Sequence, residues 1–188
     1  MRVIAGQFRS RPLPATPEPG TRPTSDKLRE TLFNVLTAGN PEVLEGSVWL
    51  DLFAGTGAVG IEALSRGAGH VTFVDNGKKA VRAIHQNLKS LGVTVGFDIV
   101  ETDAARALRQ LEQKDFRAEY VFVDPPYADR AAYADTMLSL AASTILEGQA
   151  IVIAEHDKRF DPGDAFGDLH RYRKLLQGDS GLSFYRRS

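Results

Sequence analysis

A chain of 188 residues with 43% apolar and 25% charged side chains has the size and composition of one soluble folded unit, and it can bury a core without metal or cross-links. It has no cysteine, which excludes disulfides, thiolate zinc sites, iron–sulfur clusters and a thiol nucleophile. The net charge of −1 is spread unevenly: residues 1–30 and 158–188 each carry +3, and the stretch between them carries −7. That is the pattern of an anionic partner touching the two ends, or of an ordinary solvated surface.

In chain order, Arg2–Phe8 reads as a strand, and a stretch with Pro12, Pro14, Pro17, Pro19 and Pro23 follows it. A helix is predicted from about Ser25 to Ala38, with Leu28, Leu32, Val35 and Leu36 facing inward. Residues 1–38 are therefore expected to form a basic hairpin-plus-helix extension, and residues 39–188 a catalytic domain. Val48–Phe53 is a short apolar run ending at a glycine cluster, the pattern of a buried strand. A helix then runs to about Arg66, where Gly67 stops it. His70–Asp75 is the second strand, and Val81, Ile84, Leu88 and Leu91 recur at helical spacing up to Gly92. A third strand is placed near Gly96–Val100, with a helix carrying Ala104, Ala107, Leu108 and Leu111 behind it.

The fourth strand, Glu119–Asp124, ends at Pro125-Pro126. A helix over roughly Arg130–Leu146 precedes a fifth strand, Ala150–Ala154, and the linker from Ala154 to Leu169 is too short for a full helix with its loops. Leu169–Leu175 and Leu182–Tyr185 read as two strands joined across Gln177–Gly181. Strands alternating with helices specify an α/β fold with a mostly parallel sheet, closed here by an antiparallel C-terminal hairpin. Ligands on such a sheet bind beyond the carboxyl ends of the strands, at the switch point.

The first strand runs into Gly55-Thr56-Gly57-Ala58-Val59-Gly60, a G-x-G-x-x-G loop under a helix N-terminus. Asp75 ends the next strand, placed to take both hydroxyls of a ribose. A dinucleotide and S-adenosylmethionine would both suit these features, and Asp51 separates them. A carboxylate just before the loop repels a pyrophosphate but attracts a donor carrying an ammonium and a sulfonium. At an effective dielectric near 20, such a pair about 4 Å apart is worth roughly 4 kcal/mol before desolvation. Asp51 capping the loop by hydrogen bonds is the alternative reading. Asp103 stands where an adenine amino group could be bonded, or where it simply caps a helix.

Asp124-Pro125-Pro126-Tyr127 points to the reaction. Two prolines fix the backbone and remove two donors, so the loop offers only acceptors. Tyr127 can stack on a planar substrate while Asp124 and the Pro125 carbonyl accept the hydrogens of an NH₂ group, aiming its lone pair. An exocyclic amine needs no covalent step, whereas C5 methylation of a pyrimidine usually needs a thiolate, and this chain has none.

Several stretches together resemble the bacterial RsmD-type 16S rRNA guanine-N2 methyltransferases. They are Met1–Arg11, Arg22–Asn34, Asp51–Ala68, Asp124–Tyr127 and Gly178–Tyr185, so the resemblance runs end to end. It implies a class I S-adenosylmethionine-dependent methyltransferase fold, Rossmann-like, and transfer to the 2-amino group of one guanine in 16S rRNA of the 30S subunit or its assembly intermediate. It also implies cofactor contacts at Thr24, Asp51, Phe53, Ala54, Gly55, Gly57, Asp75, Asn76, Asp103 and Ala104, and a catalytic set of Asp124, Pro125, Pro126 and Tyr127. Val59 and Ile61 replace the usual leucines, and Gln7 replaces a common basic residue, removing one phosphate contact.

RNA binding is expected through Arg2, Arg9, Arg11, Arg22, Lys27 and Arg29. No metal is expected, nor a role for His70, His85, His156 or His170. No apolar run reaches the roughly 20 residues of a membrane helix, and Met1–Gly6 lacks a signal core, so a cytoplasmic monomer is expected. The rival readings are methylation of adenine N6 or of a protein glutamine, a non-catalytic rRNA-binding assembly factor, and a dehydrogenase. The last is disfavoured by Asp51.

Overall fold

The computed structural model describes residues 1–15, 24–126 and 129–188. Thirteen elements follow in order: α1 (Asp26–Leu36), β1 (Val48–Leu52), α2 (Ala58–Ser65), β2 (His70–Asp75), α3 (Lys78–Leu91), β3 (Phe97–Glu101), α4 (Ala104–Glu112), β4 (Ala118–Val123), α5 (Arg130–Ala142), β5 (Leu146–Asp157), β6 (Ala165–Phe166), β7 (Leu169–Gln177) and β8 (Ser180–Arg187). They build one eight-stranded sheet in the order β3-β2-β1-β4-β5-β8-β7-β6. The first five strands of that order are parallel, and β8 runs antiparallel between β5 and β7. The chain starts at β1, winds outward to β3, then returns to lay β4 on the other side of β1. The crevice between β1 and β4 is therefore the switch point.

Each face of the sheet carries its own apolar layer. On one side Leu28, Leu32 and Phe33 of α1 join Trp49, Ile61, Phe73, Ile84, Phe122, Ile153 and Phe184. Phe33 stacks on Trp49 at 5.4 Å between ring centroids, and Trp49 on Tyr120 at 4.7 Å, so α1 is seated by an aromatic ladder. The other side gathers Leu50, Leu52, Val121, Met137, Leu140 and Val152 beneath α4 and α5. Val3 and Leu13 belong to the first layer, so the segment before α1 shares its core with the sheet.

Three expectations are corrected. Arg2–Phe8 is not a strand: a single antiparallel bridge joins Arg2 to Pro12. The segment does fold back on itself, with the Val3 N–H donating to the Arg11 carbonyl at 3.0 Å and the Ser10 N–H to the Val3 carbonyl at 2.9 Å. A ladder cannot extend, because the Ile4 and Ala5 N–H groups both donate to the buried Glu62 carboxylate, at 2.8 and 3.0 Å. The helix expected to reach Leu146 stops at Ala142, where the Ser143 hydroxyl bonds the Leu140 carbonyl at 2.8 Å and the Thr144 N–H bonds Glu112 at 2.8 Å. β5 is correspondingly longer than Ala150–Ala154. Its end is drawn out to Asp157 by pairing with β8, Glu155 opposite Leu182 and Asp157 opposite Ser180.

Candidate active site

Each of the central strands delivers an acidic residue to the same sheet edge. Asp51 lies in the last turn of β1 pairing, Asp75 ends β2, Asp124 follows β4, and Glu155 lies near the end of β5. Parallel strands in register bring these groups to one edge of the sheet.

Asp51 is 2% exposed, and its Oδ2 accepts the Gly60 N–H at 3.0 Å from the first turn of α2. That bond is possible because α2 lies directly against β2. A Cβ on Gly60 would come within 2.3 Å of the Phe73 ring and 2.7 Å of Val71. Burial pushes the Asp51 carboxyl up from 3.8 to about 8, the Gly60 N–H pulls it down, and the Asp75 charge adds to the rise. The loop-capping bond is thus made through Oδ2 to Gly60.

The loop itself is left-handed at Phe53, Gly55 and Gly57, with φ of 61°, 56° and 74°. Gly57 starts α2 from that conformation, which an L side chain rarely adopts, and its N–H closes a turn onto the Ala54 carbonyl at 2.7 Å. Ala54 in turn donates to Val74 at 3.0 Å, tying the loop to β2. Asp75 clamps the same loop: its Oδ2 accepts the Gly55 N–H at 2.8 Å and its Oδ1 the Gly77 N–H at 2.8 Å. Each oxygen keeps a second lone pair for a hydroxyl. Asn76 is exposed beside it. Asp103 caps α4, accepting the Arg106 N–H at 2.8 Å, with the Arg106 side chain 3.4 Å from its second oxygen, and Ala104 is buried behind it.

The second half of the site is the corner after β4. Asp124 is half-buried, and its N–H reaches the Leu52 carbonyl at 3.4 Å, which sets it beside Asp51 across the switch point. Its carboxyl is raised well above the usual range, first by burial and then by the charges of Glu155 and Asp51. The Tyr133 hydroxyl lies 3.4 Å from the Pro125 carbonyl and donates to the Glu155 carbonyl at 2.7 Å. Pro125 is buried and Pro126 exposed. Tyr127 lies outside the described residues.

Thr24 belongs to this corner by its side chain. Its hydroxyl donates to Glu155 Oε2 at 2.6 Å, so the chain entering α1 is fastened to the end of β5. Glu155 and Tyr133 were not anticipated from the sequence. A signal for the first exists: VWLD, TFVD, VFVD and IVIAE are four apolar runs each closed by an acid, and the last extends one residue past the expected strand end at Ala154.

The basic residues divide. Arg9 and Lys27 are exposed, and Arg2 is exposed with its Nε 3.8 Å from Asp26. Arg29 is corrected: it is fully buried, donating to the Arg2 carbonyl and to Asp26, and no phosphate reaches it. Its position on the inward face of α1, one turn from Asp26, makes it an anchor for the N-terminal segment. Arg11 spends its guanidinium on the Leu91 and Ser90 carbonyls, capping the C-terminus of α3. Arg22 lies outside the described residues. Among the described residues no group of three or more His, Asp or Glu side chains is arranged to hold a metal ion. No helix among them is long and apolar enough to cross a membrane.

The comparisons with known proteins agree along the whole chain. The family model described as conserved hypothetical protein 95 matches residues 1–186. The putative rRNA methyltransferase YlbH of Bacillus subtilis is 38% identical over 188 residues, covering 100% of this chain and 99% of that protein. Ribosomal RNA small subunit methyltransferase D of Escherichia coli is 33% identical over 187 residues, covering 100% of this chain and 90% of its own. The solved structure of the putative methyltransferase yhhF from Escherichia coli superposes with a TM-score of 0.85 at 30% identity, covering 100% of this chain and 98% of that one. A putative methyltransferase complexed with SAH shares the fold, with a TM-score of 0.70 at 14% identity, over 89% of this chain and 50% of that one. This chain is therefore a member of the conserved hypothetical protein 95 family, to which ribosomal RNA small subunit methyltransferase D belongs.

Proposed function

We propose that this protein transfers a methyl group from S-adenosylmethionine to the exocyclic 2-amino group of a guanine in small-subunit ribosomal RNA. The observation that carries this reading is the pairing of two acids across the switch point: Asp51, buried and held far above its ordinary range, beside Asp124 at an acceptor-rich corner. A cationic donor answers the first. An amine answers the second. The family relationship supports the choice of ribosomal RNA, since ribosomal RNA small subunit methyltransferase D is named for that substrate.

The residues present fit the donor. Asp51 would face its cationic end, the left-handed loop at Gly55 and Gly57 would let backbone approach it closely, and Asp75 would take ribose hydroxyls on its free lone pairs. Asp103 and Ala104 would border the adenine, with Phe53, Ala54 and Asn76 completing the wall. When bound, the donor supplies a methyl group on a positively charged sulfur, which leaves as a neutral thioether. On the acceptor side, Asp124 and the Pro125 carbonyl would accept the two amine hydrogens, aim the nitrogen lone pair and stabilise the positive charge growing on nitrogen. Tyr127 would stack on the base. One N–H proton then passes to the Asp124 carboxylate and on to water.

Arg2, Arg9 and Lys27, exposed cations near the N-terminus, would meet phosphates, on the 30S subunit or its assembly intermediate in the cytoplasm, with the enzyme acting as a monomer. The test is transfer of tritium from methyl-labelled donor to 30S subunits that lack the modification, followed by digestion to nucleosides. Label in N2-methylguanosine is the expected result. Label in another base, or none in any rRNA substrate, overturns the reading.

A further inference from the structure

The hairpin of β7 and β8 holds four arginines and one lysine, and its two faces use them differently. On the face toward α5 the cations are spent inside the fold. Arg171 is bonded to Asp161 and Asp164, and Lys174 to Asp161 at 2.7 Å. Arg187 donates to the Ala141 and Ser143 carbonyls at the end of α5, at 2.9 and 2.7 Å.

The opposite face continues the apolar layer that contains α1, through the fully buried Leu182 and Phe184. Strand alternation puts Arg186 on the side of Phe184, and the register sets Arg173 directly opposite Phe184. The ladder is irregular between Arg171 and Arg173, and a bulge there re-aims Tyr172 to the same side. Its ring lies 6.2 Å from that of Phe184, and the Arg186 guanidinium sits 4.6 Å from its centroid. Tyr172 is 47% exposed, and Arg173 and Arg186 are exposed beside it. The charges that act on the Tyr172 hydroxyl are Arg186 and Arg173, both cations. Among the described residues neither arginine is in an ion pair, in contrast to Arg171 and Lys174. Glu119, which with Arg186 acts on Tyr120, accepts the Val48 N–H at 2.8 Å.

Two unneutralised guanidiniums on one exposed ring oppose each other, and a polyanion with flat bases relieves both features. Unpaired bases stack on aromatic rings and on guanidinium planes, and guanidinium forks match phosphate oxygens. An acidic protein segment would satisfy the charge and leave the ring unused. The place is suitable too. Continuing the β5–β8 register sets Arg186 beside Ile151, four residues before Glu155 at the site edge, about 13 Å at 3.3 Å per residue. An RNA strand with one base at the transfer corner reaches this face within a few nucleotides.

We propose that this face of the hairpin is a second RNA-docking surface, on which an unpaired base of the substrate RNA stacks against the Tyr172–Arg186 pair while Arg173 takes an adjoining phosphate. It rests on the reading of ribosomal RNA as the substrate, and it adds the C-terminal end of the chain to the exposed cations of the N-terminal end.

The experiment is a salt titration of the binding of the whole protein to protein-free small-subunit rRNA. The double variant Arg173→Gln, Arg186→Gln is expected to bind at least ten-fold more weakly, with the slope of log K against log salt reduced by up to about 1.4. Tyr172→Leu is expected to weaken binding five-fold or more with the slope unchanged, since it removes stacking and no charge. Lys174→Gln removes one cation from the other face of the same hairpin and is expected to change neither quantity. Wild-type affinity and slope in the double variant overturn the proposal, as does an equal loss in Lys174→Gln, which would make net charge the cause. The double variant leaves Tyr172 over Phe184, so it decides alone if Tyr172→Leu does not fold. Binding of poly-glutamate that Tyr172→Leu weakens as strongly as it weakens RNA binding assigns the face to an acidic protein and overturns the proposal. Guanine methylation by the wild type, with RNA binding unchanged in the variants, removes this surface alone. RNA binding lost in the variants, with no guanine methylated by the wild type, keeps the surface and overturns the proposed reaction.

Discussion

In the proposed donor pocket, Asp51 and Asp75 are held by backbone N–H groups close to them in sequence: Gly60, nine residues on, and Gly55 and Gly77, twenty and two residues away. In the proposed transfer corner, the contacts come from far apart, with Thr24 and Glu155 separated by 131 positions and Ser180 and Glu155 by 25. The two halves share one sheet edge, yet the first is a local strand–loop–helix unit and the second exists only once the N-terminal segment and the C-terminal hairpin are seated. A pocket made locally can bind a common donor whatever the substrate. A corner assembled from both ends of the chain can respond to what those ends touch, and both ends are the basic parts of this protein.

The sharpest way to break this division is Asp124→Ala. It is expected to slow methyl transfer by about 10² or more while donor affinity, measured by calorimetry, stays nearly intact. A near-wild-type rate would remove the corner from the chemistry. The reverse separation is expected from Asp51→Asn, with donor affinity falling at least about ten-fold, equivalent to about 1.4 kcal/mol.

The same variant tests the sign of a pH effect. Because Asp51 is raised from 3.8 to about 8, the folded free protein holds a proton there that the unfolded chain has lost over that interval. Fold stability from this group is therefore complete below about pH 4 and drains away as pH rises toward 8. Donor binding, which needs the ionised form, releases a proton at pH 7 and tightens as pH rises to about 8. Calorimetry in two buffers of different ionisation enthalpy detects that proton. Asp51→Asn should abolish its release and stabilise the free protein at pH 8 by about 1–2 kcal/mol in urea unfolding. Proton release that persists in the variant would assign the titration to another group.

The smallest effect refines the comparison at the N-terminal end. Arg9→Ala should reduce the slope of log K against log salt for RNA binding by up to about 1, with an unchanged unfolding midpoint. Arg11→Ala should do the opposite, costing about 1 kcal/mol of stability by uncapping α3 and leaving the slope alone. If both variants change the slope equally, the division between docking and structural arginines fails.

Much of the donor side was legible because its determinants are local. Alternating apolar runs fix strands, the G-x-G-x-x-G loop needs the left-handed conformations that it adopts, and an acid at a strand end must face the sheet edge. The strand limits His70–Asp75 coincide with expectation, as does Asp103 as a helix cap. The errors fall where pairing partners are remote. Arg2–Phe8 has a strand-like composition, but its Ile4 and Ala5 N–H groups go to Glu62, 58 and 57 residues away, instead of to a neighbouring strand. Arg29 has the chemistry of a phosphate ligand, but its place on the inward face of α1 sends it into the core, where Arg2 and Asp26 receive its hydrogens.

The amino-acid order by itself determined the layered α/β architecture, the phosphate-free character of the donor loop and the acceptor-only corner, since each depends on periodicity, glycine and proline placement, or charge within one short segment. Only the tertiary structure decided which arginines are exposed and that Thr24 is fastened to Glu155. Burial and the proximity of like charges depend on how far-separated segments pack, and no short stretch of sequence records that.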